Sequence, residues 1–220
     1  MFETIIFDLD GTLLDTLDDL ADGVNAALAA YHYPVRTREE VRGFVGNGVL
    51  NLMKKAVPGG ESAPDFAEVF AYFKEYYAAH SQIKTRPYEG IVEMIRAFHG
   101  QGKKMAIVSN KFHQAVVELN ELYFGDLIPV AIGENEAAGI QKKPAPDTVY
   151  AAMKALGADM ATTVYVGDSE VDHATAQNAG LPCILVSWGF RDRELLASFA
   201  PYALVDEPCR ILEICNQDKH

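Results

Sequence analysis

Apolar residues along this chain follow two rhythms. Short unbroken runs occur at Thr4–Leu9 (TIIFDL), Lys104–Ser109 (KMAIVS), Ile128–Ile132 (IPVAI), Thr163–Gly167 (TVYVG) and Cys183–Ser187 (CILVS), with a weaker one at Tyr202–Val205. Runs of this length without polar alternation predict strands buried on both faces. Between them, apolar residues recur at helical spacing: Val92, Ile95 and Phe98; Val116, Leu119 and Leu122; Val149, Met153 and Leu156. Gly157 is placed to end the last of these helices. Strands alternating with helices predict an α/β fold, a Rossmann-like parallel sheet sandwiched by helices.

One interval breaks the rhythm. About ninety residues separate the first two strands, where a crossover needs roughly a dozen. Leu17, Leu20, Val24, Leu28 and Tyr31 follow a helical repeat there, and Thr16 with Asp19 resembles a capping box. Val49–Ala56 and Phe66–Ala79 also read as helices, with Phe66, Phe70, Tyr72, Phe73, Tyr76 and Tyr77 as apolar filling. The expected organisation is an all-helical insert over residues 16–82 and a discontinuous core of residues 1–15 and 83–220. The joints fall near Asp15–Thr16 and Ser81–Thr85.

Composition narrows the function classes. The formal charge of −12 opposes nucleic-acid binding, because the chain would repel phosphate backbones. Any anionic substrate would then need a local cation. The opening MFETIIFDLD has no basic flank and no long apolar stretch, which predicts neither signal peptide nor membrane span and a cytoplasmic location. Cys183, Cys209 and Cys215 form no CxxC and read as reduced, small core residues. The six histidines show no metal-ligand spacing.

Four segments carry candidate chemistry, each at or just past the C-terminal end of a predicted strand, the edge where open parallel sheets bind ligands. The first is FDLDGTLLDT. Asp8 and Asp10 are two residues apart and can share a side; two buried carboxylates are costly without a cation. Asp8 can attack phosphorus, and Asp10 can protonate a leaving alkoxide. Gly11 permits a tight turn, and Thr12 offers a hydroxyl and an N–H to an anion. The second is Ser109-Asn110, able to hold a phosphoryl oxygen. The third is KKPAP, where Lys143 can offset charge and Lys142 is the surface alternative. The fourth, VGDSEVD, adds Asp168 and Asp172, and clustered carboxylates suit Mg²⁺.

DxDGT after an N-terminal strand resembles the first signature of the haloacid dehalogenase superfamily, and the other three segments follow in that family's order. The resemblance implies Asp8 as nucleophile and Asp10 as general acid/base. It implies Ser109 and Asn110 as phosphate contacts, and Lys143 as the charge-neutralising lysine. It also implies Mg²⁺ bound by the Asp8 and Asp168 side chains and the Asp10 backbone carbonyl, with Asp172 behind them, orienting Lys143. Asp at position 10 matches the phosphatase and phosphomutase branch.

An insert directly after the first motif resembles the helical-cap subclass, whose caps exclude water and read the leaving group. Gly46, Asn47 and Gly48 before Leu50 predict a helix start suited to anions, and Arg42 could hold a second negative group. That stretch, with Trp188-Gly189-Phe190, resembles phosphoglycolate phosphatases. The expected partner is a small phosphorylated metabolite; monomer and homodimer both stay open. A β-phosphoglucomutase-like phosphomutase, a pyrophosphatase or nucleotide phosphatase, and a phospho-acceptor signalling domain are the competing readings.

Overall fold

The computed structural model describes residues 1–135 and 139–217. They divide into two compact units: Met1–Leu14 with Pro87–His220, and Asp15–Arg86.

The first unit is built on six strands. In chain order they are β1 (Thr4–Phe7), β4 (Lys104–Phe112), β5 (Val130–Glu134), β6 (Thr163–Gly167), β7 (Cys183–Val186) and β8 (Ala203–Val205). They form one all-parallel sheet in the order β5-β4-β1-β6-β7-β8. The alternation of side chains explains why these strands are apolar throughout. Ile5, Phe7, Met105, Ile107, Val164, Val166, Ile184 and Val186 face one way, onto α5 (Ile91–Gly100), α6 (His113–Tyr123) and α10 (Pro208–Asn216). Ile6, Ala106, Val108, Tyr165, Cys183 and Leu185 face the other, onto α7 (Asp147–Leu156), α8 (Glu170–Ala179) and α9 (Arg193–Ser198). Gly157 ends α7 in the left-handed conformation, φ 56°.

Several details differ from the sequence reading. Strand β4 runs past Ser109 to Phe112, with its register on β5 shifted between Val108 and Phe112. Leu122 is 56% exposed, and the buried residues of α6 are Val116, Leu119 and Asn120. Cys209 is exposed, unlike Cys183 and Cys215, whose thiol pKa values burial drives upward.

The second unit holds α1 (Leu17–Ala30), α2 (Arg38–Phe44), α3 (Gly48–Ala56) and α4 (Phe66–His80). Phe66, Phe73 and Tyr77 are buried along α4, whereas Tyr72 is exposed. Thr16 and Asp19 do not form a capping box: the Thr16 hydroxyl has no hydrogen-bond partner. Asp19 instead accepts the backbone N–H groups of Lys84 at 3.0 Å and Thr85 at 2.8 Å. The competing demand came from a segment 65 residues away, with two main-chain donors to satisfy. A true capping box forms at Thr37 and Glu40, opening α2. Strands β2 (Leu14–Asp15) and β3 (Arg86–Pro87) pair as a two-stranded sheet. No helix among the described residues is long and apolar enough to cross a membrane.

Candidate active site

The C-terminal ends of β1, β4 and β6 gather the sequence-predicted residues of the first unit. Asp8 directly follows β1, and its N–H donates to the Val166 carbonyl, continuing the ladder one residue further. Alternation puts its side chain on the side of Ile6 and Tyr165. There Asp8 Oδ1 accepts from Lys143 Nζ at 2.5 Å, and Oδ2 accepts a longer contact from the Thr12 hydroxyl at 3.4 Å. The Thr12 N–H, expected to be open to an anion, donates to Leu9 O because the chain turns tightly after Asp10. Only the hydroxyl of Thr12 therefore faces the site chemistry.

Lys143 is 3% exposed and reaches three oxygens: Asp8, Asp172 Oδ1 at 2.7 Å and the Tyr165 hydroxyl at 3.2 Å. Its backbone is held by Asn110, whose amide donates to Lys143 O at 3.0 Å and accepts from Lys143 N at 2.7 Å. This two-point clamp makes Asn110 a positioning residue for the lysine. Burial pulls the ammonium pKa down, but Asp172 and Asp8 outweigh it and hold Lys143 charged.

Asp172 is saturated by donors. Lys143 and the Tyr165 hydroxyl (2.9 Å) bond Oδ1; the Ser169 hydroxyl (2.6 Å) and Asp168 N–H (3.2 Å) bond Oδ2. Burial raises its pKa, yet Lys143 and the hydroxyls win and hold it below the usual range. Asp8 and Asp168 behave oppositely. Burial, then Asp172, pushes Asp8 up to about 7 despite Lys143. Burial followed by Asp172 and Asp8 drives Asp168 well up.

Asp168 sits in a cradle too tight for any β-carbon. A Cβ on Gly11, where φ is 90°, would lie 2.4 Å from Asp168 Oδ2, and one on Gly189 would lie 2.3 Å from the same atom. The Phe190 N–H donates to that oxygen at 2.6 Å. Trp188 Nε1 donates to Thr12 O at 3.0 Å, tying this loop to the turn after Asp10.

Carboxylate oxygens of Asp8, Asp168 and Asp172 lie within 4.8 Å of one another. Three carboxylates against the single Lys143 ammonium leave a formal charge of −2. The excess rests on Asp8 and Asp168, the two without a full set of donors. A hard divalent cation with oxygen ligands matches that donor set and that charge.

Asp10 turns to a second cation. Its Oδ1 accepts from Lys111 Nζ at 3.1 Å, and its Oδ2 from the Ser109 hydroxyl at 3.4 Å. Sequence reasoning passed over Lys111, because a lysine after Ser-Asn resembles a surface charge. Tyr165 was also missed; a tyrosine inside an aliphatic buried strand was the available signal, since its hydroxyl must find a partner. Lys142 is half-buried and takes no part. Arg42, Gly46 and Asn47 belong to the helical unit: Arg42 pairs with Glu39 at 3.1 Å, and Gly46 and Asn47 lead into α3.

Comparisons with known proteins agree with this geometry. The family model described as haloacid dehalogenase-like hydrolase matches residues 5–186. A phosphoglycolate phosphatase of Pseudomonas fluorescens is 32% identical over 217 residues, covering 96% of this chain and 79% of that protein. A phosphoglycolate phosphatase of Mesorhizobium japonicum is 33% identical, covering 91% and 89%. A crystal structure of a candidate phosphoglycolate phosphatase from Lactobacillus delbrueckii subsp. bulgaricus superposes with a TM-score of 0.92 at 34% identity, covering 97% and 98%. On the fold, the motif order and this similarity together, the chain belongs to the haloacid dehalogenase-like hydrolase family.

Proposed function

We propose that the protein is a phosphatase of small phosphomonoesters, with 2-phosphoglycolate the foremost substrate, acting through an aspartyl phosphate on Asp8. The observation that carries this reading is the placement of Asp8. It is a buried carboxylate at the sheet's ligand-binding edge, gripped by Lys143, with a second carboxylate, Asp10, two residues on.

Asp8 and Asp168 would hold Mg²⁺ together with the Asp10 backbone carbonyl; when bound, the ion supplies charge neutralisation for a dianionic phosphoryl group. The remaining work falls to the chain. One Asp8 oxygen attacks phosphorus as the ester P–O bond breaks, and the departing oxygen takes a proton from Asp10. Water then attacks the aspartyl phosphate and gives its proton to Asp10, which frees inorganic phosphate and regenerates Asp8. Lys143 and the hydroxyls of Ser109 and Thr12 stabilise the charge spread over the phosphoryl oxygens. Asn110 and Asp172 keep Lys143 in place. Arg42, Gly46 and Asn47 are the helical unit's proposed contribution to choosing the leaving group, the unit acting as a cap.

The relatives' names support the substrate class, since two are phosphoglycolate phosphatases. The test is phosphate release from 2-phosphoglycolate with Mg²⁺ and with chelator. Asp8→Asn is expected to abolish turnover with the fold intact, and Asp10→Asn to slow it by about 10²- to 10⁴-fold. Full activity in folded Asp8→Asn protein would remove the nucleophile from the mechanism.

A further inference from the structure

Lys111 is the second ammonium of this site, and the phosphoryl-transfer steps above do not use it. Its side chain is 4% exposed, and desolvating an ammonium is unfavourable unless it meets negative charge. The irregular end of β4 is what brings it inward. Ser109, Asn110 and Lys111 are buried in succession, where the register on β5 breaks. Ser109 and Lys111, two residues apart, both reach Asp10: the hydroxyl touches Oδ2 and the ammonium Oδ1.

This position has a chemical meaning if Asp10 serves the leaving group. The ester oxygen must come within hydrogen-bond reach of one Asp10 oxygen. Lys111 lies 3.1 Å from the other. Substrate atoms one or two bonds beyond the ester oxygen therefore enter the neighbourhood of a desolvated positive charge. A neutral group there gains little, whereas a carboxylate or a second phosphate gains a charge-assisted hydrogen bond. Lys143 stands at the other carboxylate, against Asp8 and Asp172, on the side of the attacking oxygen.

We infer that Lys111 is a specificity-determining residue, selecting phosphate esters that carry a second anionic group close to the ester oxygen. The inference rests on the phosphatase reading and sharpens it. A carboxylate one methylene away, as in 2-phosphoglycolate, has the right reach; an uncharged sugar or alcohol does not supply the charge.

The test compares 2-phosphoglycolate with 2-hydroxyethyl phosphate, an analogue of similar size with an uncharged hydroxymethyl group in place of the carboxylate, in the wild type and in Lys111→Met and Lys111→Arg. The wild type is expected to favour the carboxylate by about 10- to 100-fold in kcat/KM. In Lys111→Met that ratio falls toward one, chiefly through a higher KM for 2-phosphoglycolate. In Lys111→Arg, which keeps the charge, much of the preference survives. A Lys111→Met enzyme that loses activity equally on both esters would make the lysine a mere support for Asp10 and overturn the inference. Should Lys111→Met fail to fold, an Arg variant with an abolished preference would overturn it equally, and a retained one would uphold it. A wild type that hydrolyses both esters equally well sinks this inference alone. A wild type that releases phosphate from neither sinks the phosphatase reading along with it.

Discussion

Replacing Lys143 by Met would test the electrostatic logic of the site most directly. The substitution nearly preserves length and removes one positive charge from a place that is 3% exposed. Three oxygens lose their donor: Asp8 at 2.5 Å, Tyr165 at 3.2 Å and Asp172 at 2.7 Å. The variant leaves Asp8, Asp168 and Asp172 facing one another within 4.8 Å with no ammonium among them. Breaking a buried ion pair from one side costs about 3–5 kcal/mol. For a chain of this size that is a fall in Tm of roughly 6–20 °C. The size of the deficit should depend on pH, and its sign can be worked out. In the wild type, burial raises Asp8 from 3.8 to about 7, so its contribution to stability is complete below 3.8 and is lost as pH climbs to about 7. Without Lys143 the carboxylate is still harder to ionise, so the variant's deficit should be largest above pH 7. Below pH 6 it should shrink, because a protonated Asp8 no longer needs the lysine. The part due to Asp172 should persist, since that group is held below the usual carboxylate range. Thermal or denaturant melts in chelator from pH 5 to 8.5 would read this out, alongside phosphate release with Mg²⁺, expected to fall about 10²- to 10³-fold. A variant within 1 kcal/mol of wild type at pH 8, or a deficit that grows as pH falls, would refute the reasoning.

Three further outcomes follow from the same geometry. Apparent Mg²⁺ affinity, measured by calorimetry, should strengthen by at least about tenfold per pH unit below about pH 7, because the ion must displace the protons that burial favours on Asp8 and Asp168; a flat profile from pH 5.5 to 7 contradicts this. Gly189→Ala puts a methyl 2.3 Å from Asp168 Oδ2, so it should weaken Mg²⁺ binding at least tenfold and destabilise the fold by about 1–3 kcal/mol; unchanged metal titration would show that the cradle gives way. Asp19→Ala strips the acceptor from the Lys84 and Thr85 N–H groups and should cost about 1–3 kcal/mol, seen as early loss of amide protection at residues 84 and 85; unaltered exchange there would make the contact dispensable.

How much of this was readable beforehand depended on the range of the forces involved. Strands such as Thr163–Gly167 were legible because both sheet faces are covered, leaving no polar alternation to confuse the pattern. Asp8, Asp10 and Asp168 were legible because each sits at or just past the point where an apolar strand runs out, and Lys143 because it directly precedes a proline in the KKPAP segment. Lys111 was not, since its burial comes from a register break between β4 and β5 that no local spacing encodes. Asp19 misled for a related reason: its short-range pattern favoured a cap, while its actual partners lie far along the chain. Tyr165 looked like strand filling, and only the assembled sheet reveals that its hydroxyl touches Lys143 and Asp172.

Trp188 is the protein's sole tryptophan, and its indole is hydrogen-bonded to the Thr12 carbonyl within the loop that also frames Asp168. The molecule thus carries a native optical probe beside its cluster of buried carboxylates. Emission from this one ring would follow ligand arrival at that cluster without any label, mutation or coupled enzyme.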